Sequence, residues 1–240
     1  MKHALCFFAL LCVTSSVYCM KKWSLEKHVI CKESIFSIKI SQDKKNFDVY
    51  TGSIHAVNSC IAHSILSQSH SQNEIMRFVS LSQRLIMKVY KSAGMNGADF
   101  VELDDLEKQR TTIISEPISN IETCCFSSDE NYFGISQRVL GFDYHVHIYP
   151  HNENAECRSR GTIKLIAPLS SMDVSKEYIV LGTKNNRAYF FNIGTLKESG
   201  VLKLPDNRSI TALCFDSSGG CLAVGSSQGD IYFYVKSNEK

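Results

Sequence analysis

One short pattern recurs along this chain and limits the folds that it can adopt. In its last copy, ITALCF is followed, eleven residues after its first isoleucine, by CLAVGS and then by DIYFYV. Gly219-Gly220 and Gln228-Gly229 separate these segments, and glycine there lets a tight hairpin adopt positive φ at low cost. Residues 210–240 therefore predict three antiparallel strands, which need neighbours of the same kind to cover their apolar face.

Looser copies of the pattern occur upstream at regular spacing. The copy that starts at Ile121 matches best, because its apolar residues stand 89 positions before those of the last copy. The copies at Ile35 and Ile75 lie 175 and 135 positions before it, and the copy at Leu169 has a hairpin two residues shorter. First strands are therefore predicted at 35, 75, 121, 169 and 210, and the intervals of 40, 46, 48 and 41 residues are typical of a four-stranded blade.

The remainder of each unit predicts two further strands. Third strands are predicted to end near Trp23, Val57, Leu103, Tyr149, Phe191 and Tyr234. Fourth strands, which are more polar, are predicted at 27–31, 60–66, 110–115, 160–165 and 199–204. A closed propeller usually combines strands from both chain ends in one blade. Here one first strand and one fourth strand are missing at that seam.

These units resemble WD repeats, and the chain is similar to part of a WD-repeat β-propeller. Trp23-Ser24 is the nearest match to the Trp-Asp that ends the third strand in that family, and Leu103-Asp104 keeps only its acid. The family's Gly-His pair is missing, and Gln228, Asn185 and Val17 stand where its turn aspartate belongs. The apolar register of the strands therefore carries the resemblance.

The resemblance implies an all-β fold, a propeller of about six WD-like four-stranded blades that is incomplete at the seam. The predicted units lie near 1–33, 34–74, 75–119, 120–166, 167–208 and 209–240. The alternative is that the chain is a piece of a larger, seven-bladed protein or an incomplete gene product.

The N-terminus has two interpretations. Residues 1–19, with Lys2 ahead of the apolar run ALCFFALLCV, resemble a secretory signal peptide, and the run is too short to span a bilayer. Alternatively, Leu11, Val13 and Trp23 belong to strands of the first unit, since they lie 211 positions before their equivalents in the last. We favour the strands, which predict a cytoplasmic or nuclear protein; the signal peptide predicts a secreted one.

Composition excludes several classes of function. The chain has 26 basic and 24 acidic residues, a net charge of +2, which predicts neither nucleic-acid binding nor a polybasic membrane surface. The ten cysteines include no CxxC pair and several lie in apolar runs, which favours reduced, buried thiols over zinc or disulfides. We also expect no transmembrane segment and no small-molecule ligand.

Several short motifs invite a chemical role, and each has a simpler structural explanation. His145, His147 and His151 could share a metal ion, but we favour a third strand that displays polar side chains on one face, because the spacing fixes no further ligand nearby. Ser53 and Ser226 lack the surroundings of a nucleophile, and residues 95–98 lack the pattern of a phosphate loop.

Three surface motifs remain. The acidic run 102–107 is interpreted as the exposed end of a third strand in a solvated loop rather than as a docking surface. Arg158-Ser159-Arg160 matches the arginine pair of phosphoinositide-binding propellers only weakly. Asn207-Arg208-Ser209 fits the glycosylation pattern, which matters only in a secreted protein.

The sequence thus predicts a non-catalytic scaffold for protein–protein interaction within a multiprotein complex, with no catalytic, cofactor-binding or metal-binding residues. Its partners are expected to be other proteins, because radial sheets present several fixed loops at once. The alternative is a secreted propeller, hydrolase or lectin-like.

Overall fold

The structure, a computed structural model, describes residues 23–30, 35–40, 47–51, 74–80, 82–90, 99–141, 143–151, 157–205 and 207–236. Its regular elements within these ranges are β-strands. The strands are β1 (Trp23–Ile30), β2 (Ile35–Ile40), β3 (Phe47–Thr51), β4 (Glu74–Val79), β5 (Leu85–Tyr90), β6 (Asp99–Asp105), β7 (Arg110–Ile118), β8 (Ile121–Phe126), β9 (Tyr132–Leu140), β10 (Asp143–Pro150), β11 (Gly161–Ile166), β12 (Leu169–Val174), β13 (Tyr178–Thr183), β14 (Arg187–Asn192), β15 (Glu198–Lys203), β16 (Ile210–Phe215), β17 (Cys221–Ser226) and β18 (Asp230–Lys236).

The strands form four antiparallel sheets of four strands and one sheet of two. Three sheets follow the chain directly, β4 to β7, β8 to β11 and β12 to β15, with each strand beside the next. The two-stranded sheet contains β2 and β3. This confirms the all-β prediction and the repeated four-stranded unit. In the part of the chain that the structure describes, no helix is long and apolar enough to cross a membrane.

The last sheet combines strands from distant parts of the chain. Its order is β16, β17, β18 and then β1, so the outer edge of β18 is paired with the N-terminal strand. Trp23 lies opposite Lys236 and Ile30 opposite Asp230. Pairing this edge satisfies backbone groups that an open edge would expose. The interpretation of Trp23 as the end of a third strand is therefore wrong, as is the separate first blade built on it.

Every described first hairpin has the same irregularity. The first residue of the first strand pairs normally, and a β-bulge follows directly after it. The normal pairs are Ile35 with Thr51, Glu74 with Tyr90, Ile121 with Gln137, Leu169 with Thr183 and Ile210 with Ser226. This register puts Glu74 in the first position, so the predicted start at Ile75 is wrong by one residue. The shift moves Ser80 out of the strand, which explains its poor match to Phe215.

A buried polar residue closes each of the four described first turns. Ser80, Ser127, Ser175 and Asp216 follow the first strand directly and are at most 4% exposed. The Ser127 hydroxyl accepts a hydrogen bond from the Tyr132 N–H at 3.0 Å, and the other three make the same contact at 2.9–3.0 Å. Three of these turns span five residues and that of Ser175 only three, which confirms the shorter hairpin predicted after Leu169.

The apolar core is divided among the spaces between successive sheets. One cluster joins the β4–β7 sheet to the β8–β11 sheet, and a second joins the latter to the β12–β15 sheet. A third joins the β12–β15 sheet to the last sheet, where Phe190 and Leu222 are fully buried. The β8–β11 and β12–β15 sheets each contribute to two clusters and are therefore apolar on both faces, as the repeat predicts for a sheet that packs between neighbours.

The first strands lie side by side and connect the sheets. Strand β12 contacts β8 and β16, and β16 contacts β2. Ser127 and Val174 form a parallel bridge, so β8 and β12 run in the same direction. The described residues do not form a closed ring, and 52–73, between β3 and β4, lie outside them together with the predicted strand at 60–66.

Candidate functional site

The three histidines proposed from the sequence do not form one site. His145 and His147 share a face of β10 with ring centroids 6.4 Å apart, and the Nδ1 atom of His147 lies 3.2 Å from the Thr162 hydroxyl. Burial lowers the pKa of His147. His151 lies past the end of the strand, with Nδ1 3.1 Å from the Glu130 carbonyl oxygen. Among the described residues, no three His, Cys, Asp or Glu side chains are grouped as metal ligands.

The acidic run 102–107 is largely a structural clamp. The Asp105 carboxylate accepts hydrogen bonds from the Arg84 guanidinium at 2.8 and 3.2 Å and from the backbone N–H of Lys108 at 3.2 Å. The arginine hydrogen bonds lower the pKa of Asp105 to about 2. Its side chain is only 7% exposed, so the predicted solvated loop is wrong for this residue, although Glu107 is 70% exposed.

A small crevice beside this clamp brings together the side chains of His151, Asp105 and Cys157. These three groups are the types found in a catalytic triad of thiol, imidazole and carboxylate, but their geometry differs from that of a catalytic triad. The Nε2 atom of His151 lies 4.0 Å from Asp105, and its Nδ1 atom lies 3.1 Å from the Glu130 carbonyl oxygen, so both ring nitrogens have oxygen neighbours. Burial raises the pKa of Cys157, which makes it a poorer nucleophile.

The other sequence motifs are engaged in local structure where they are described. The Ser226 hydroxyl accepts a hydrogen bond from the Asp230 N–H at 3.1 Å and closes the β17–β18 turn. Arg160 donates to the Tyr132 hydroxyl at 3.2 Å and to the Gly194 carbonyl at 2.9 Å. Asn207 is exposed, and its amide oxygen accepts from the Asn186 side chain at 2.8 Å. Ser53 and residues 95–98 lie outside the described residues.

The β9–β10 hairpin extends beyond the equivalent hairpins. In the other sheets the second strand ends at the residue that pairs with the start of the first strand, as Thr183 does with Leu169. Strand β9 continues past Gln137, its last partner on β8, for three residues to Leu140. Three residues correspond to about 10 Å of strand, so the end of the hairpin projects from its sheet.

The projecting end of this hairpin is apolar and exposed. Val139, Leu140 and Ile166, called the apolar tip below, are 44%, 81% and 88% exposed. Asp143 pairs with Leu140 on one side and Ile166 on the other, so the two most exposed residues flank one position of β10. A cluster of large, exposed apolar side chains is costly in water and typical of a binding surface.

The sequence reasoning did not identify the apolar tip, although a signal was present. Residues 139–141 have the sequence VLG, and they fall at the end of a hairpin, where polar residues are usual. Ile166 gave no such signal, because it is separated from Leu140 in the sequence by a whole strand pair.

Among the other described cysteines, Cys124 is buried in the core, and Cys125 is partly buried and packs against it. Burial raises the pKa of Cys124 and of Cys125, its neighbour on strand β8. Both side chains therefore behave as small apolar groups, in agreement with the sequence interpretation.

Comparison with known proteins adds no relationship. A scan against models of protein families finds no match to this chain, and a search of curated proteins by sequence finds no similar protein.

Proposed function

We propose that this chain is a non-catalytic scaffold for protein–protein interaction, built as a WD-like β-propeller. The repeated four-stranded sheets, packed through their first strands, support this architecture. Because β1 belongs to the last sheet, the described residues contain five sheets rather than the six predicted. In this proposal the β2–β3 sheet supplies two strands of a blade.

The observation that carries the proposal is the apolar tip. Its exposed side chains lie on a hairpin whose base is fixed in a four-stranded sheet with buried residues on both faces. A rigid support reduces the conformational entropy that a surface loses when it binds a partner. Leu140 and Ile166 can therefore contact a partner with little loss of conformational entropy.

The contacts of the titratable groups also support binding rather than catalysis. Asp105 is held by Arg84, and the Glu116 carboxylate accepts hydrogen bonds from the Tyr149 hydroxyl and from the Ser159 N–H, both at 2.9 Å. The Glu116 contacts connect the β4–β7 sheet to the β8–β11 sheet, whereas the Asp105–Arg84 pair lies within the β4–β7 sheet. The lone pairs of both carboxylates are therefore engaged in structural contacts.

We propose a cytoplasmic or nuclear location, which the free thiols of Cys124 and Cys125 support, since such compartments keep thiols reduced. Secretion remains the alternative, because β1 begins at Trp23, downstream of the predicted signal peptide of residues 1–19. Mass spectrometry of the natural N-terminus separates the two. A mature chain that begins near Met20 would establish secretion and contradict our proposal.

The scaffold proposal is tested by affinity purification of the tagged full chain from its own cells, with quantitative identification of bound proteins. The binding variant is Leu140→Ser with Ile166→Ser, and the control is Leu106→Ser, an equally apolar residue that is 53% exposed in the β6–β7 turn. We expect specific partners with the wild type and the control, and their loss with the double variant. Recovery of no specific partner with any of the three would contradict a scaffold role.

A further inference from the structure

A group of cations lies at the same end of the sheets as the apolar tip. The turn after β13 carries Lys184, strand β14 begins at Arg187, and strand β15 ends at Lys203. All three side chains are exposed, and we call them the basic turn. Because β9, β11, β13 and β15 all end at this edge, the basic turn and the apolar tip share it.

The basic turn contains a like-charge pair. Arg187 lies directly opposite Lys203 in the β14–β15 ladder. Like charges at directly opposed positions of adjacent strands are destabilising. No carboxylate of the described residues forms an ion pair with any of the three cations, and the nearby Asp230 is paired with Arg208. The fold therefore keeps together charges that an anionic ligand would neutralise.

Hydrogen bonds hold the backbone that carries Lys184 and Arg187. The Thr183 hydroxyl donates a hydrogen bond to the Arg187 carbonyl at 2.9 Å, and Asn186 within the turn has a positive φ of 59°. The Ser209 hydroxyl donates to the Lys184 carbonyl at 2.8 Å, which joins the turn to the approach of β16. A ligand thus meets a pre-organised backbone rather than a free loop.

The basic turn and the apolar tip are continuous. The N–H of Lys184 donates a hydrogen bond to the Pro168 carbonyl at 2.9 Å, and Pro168 is two residues after Ile166. The cations of the β12–β15 sheet therefore begin, at Lys184, beside the segment that follows the apolar anchors of the β8–β11 sheet.

We propose that the apolar tip and the basic turn together bind an acidic segment of a partner protein that also carries apolar side chains. The apolar residues of the segment cover Leu140 and Ile166, and its carboxylates neutralise Arg187 and Lys203. The inference rests on the proposed scaffold function and specifies the chemistry of the partner.

The charges of the tip favour a peptide over an anionic membrane. Asp143 lies between Leu140 and Ile166, and Glu122 is paired with Arg138 below the tip at 3.1 Å. A membrane surface that received the apolar tip would bring its phosphates against Asp143. A peptide places its carboxylates only over the basic turn.

The test is a selection of displayed random peptides against the purified full chain, followed by binding measurements with the selected peptides. One variant changes the cations, Arg187→Glu with Lys203→Glu, and another changes the tip, Leu140→Ser with Ile166→Ser. The matched controls are Lys197→Glu and Leu106→Ser, exposed residues in turns at the opposite end of the sheets. These substitutions alter exposed side chains, and circular dichroism checks that each variant is folded.

We expect the selected peptides to combine acidic and apolar residues, to bind at least about tenfold more weakly to either double variant, and to bind the controls normally. Raised salt should weaken the binding, since exposed charges are screened. Vesicles that contain phosphatidylserine should not bind in a manner that depends on Arg187 and Lys203.

Other results would overturn the inference. Selected peptides without acidic residues, or peptides that bind both double variants as tightly as the wild type, would contradict this surface while leaving the scaffold proposal intact. If the wild type binds vesicles but no peptide, and the cation variant does not bind vesicles, the surface would be assigned to lipid instead. Cellular partners that persist with both double variants would likewise overturn the site alone.

Discussion

Asp173 lies on β12, the first strand of its sheet, and connects it to β16, the first strand of the last sheet. Its carboxylate accepts hydrogen bonds from the Phe215 N–H at 2.6 Å and from the Val174 N–H at 2.9 Å. Burial of the carboxylate raises the pKa of Asp173 to about 7, against these two hydrogen bonds, which lower it. The residue should therefore make the free energy of unfolding depend on pH.

The direction follows from proton binding in the two states. The unfolded chain loses this proton near the ordinary pKa of an aspartate, about 4, whereas the folded chain keeps it to about 7. Between those values the folded state binds more protons, so stability falls as pH rises, by about 1.4 kcal/mol per unit. From pH 5 to pH 8 the loss from this one group is on the order of 3 kcal/mol.

The test is the variant Asp173→Asn, which keeps an oxygen to accept the Phe215 N–H and does not titrate. Urea unfolding at about pH 5 and about pH 8, followed by circular dichroism, gives the stability difference between variant and wild type. We expect this difference to move by about 3 kcal/mol in favour of the variant at the higher pH. Using the difference removes the contributions of all other titrating groups that the two proteins share.

The matched control is Asp105→Asn. Because Arg84 holds the pKa of Asp105 at about 2, this carboxylate is ionised throughout the range and its contribution is lost only as pH falls below about 4. Its loss should destabilise the protein by about 2 kcal/mol equally at both pH values. A pH-independent difference for Asp173→Asn as well would refute the burial argument.

Three further predictions follow from the packing. Gly182→Ala should destabilise the protein by about 1–3 kcal/mol, since a Cβ atom there would lie 2.7 Å from the Ile210 side chain; urea unfolding measures this, and an unchanged midpoint would contradict the close packing. Asp216→Ala should cost about 1–3 kcal/mol or more, because the buried N–H of Cys221 loses its acceptor at 2.9 Å; a loss below about 0.5 kcal/mol would show that water replaces it. Removal of residues 1–30 should speed amide exchange in β18 but not in β14, and an exchange rate of β18 that does not change on removal would contradict the pairing of β1. In the intact chain, the fluorescence of Trp23, the single tryptophan, reports on the same edge.

Much of the local structure could be predicted from the sequence because hairpins are short-range. The first strands at 35, 121, 169 and 210 begin where the repeat places them, and Gly219 and Gly229 have the positive φ values of 70° and 90° expected of their turns. The error at Ile75 arose where the apolar pattern was weakest. Only the pairing of Glu74 with Tyr90 established the correct register.

The candidate site was less predictable, because its residues are brought together by neighbouring strands. Ile166 and Leu140 meet only through Asp143, and Arg187 meets Lys203 only through the β14–β15 ladder. The same limit misled the interpretation of Asp105, whose position in an acidic run gave no indication of its pairing with Arg84.

The sequence by itself determined that this chain forms antiparallel hairpins that repeat as units of four strands. Alternating apolar residues and turn glycines act over a few positions, so their effect is contained in the local pattern. The tertiary structure decided which strand completes the last sheet, since the outer edge of β18 pairs with β1 from the other end of the chain. It also decided which side chains remain exposed, because burial depends on neighbouring sheets that no local pattern specifies.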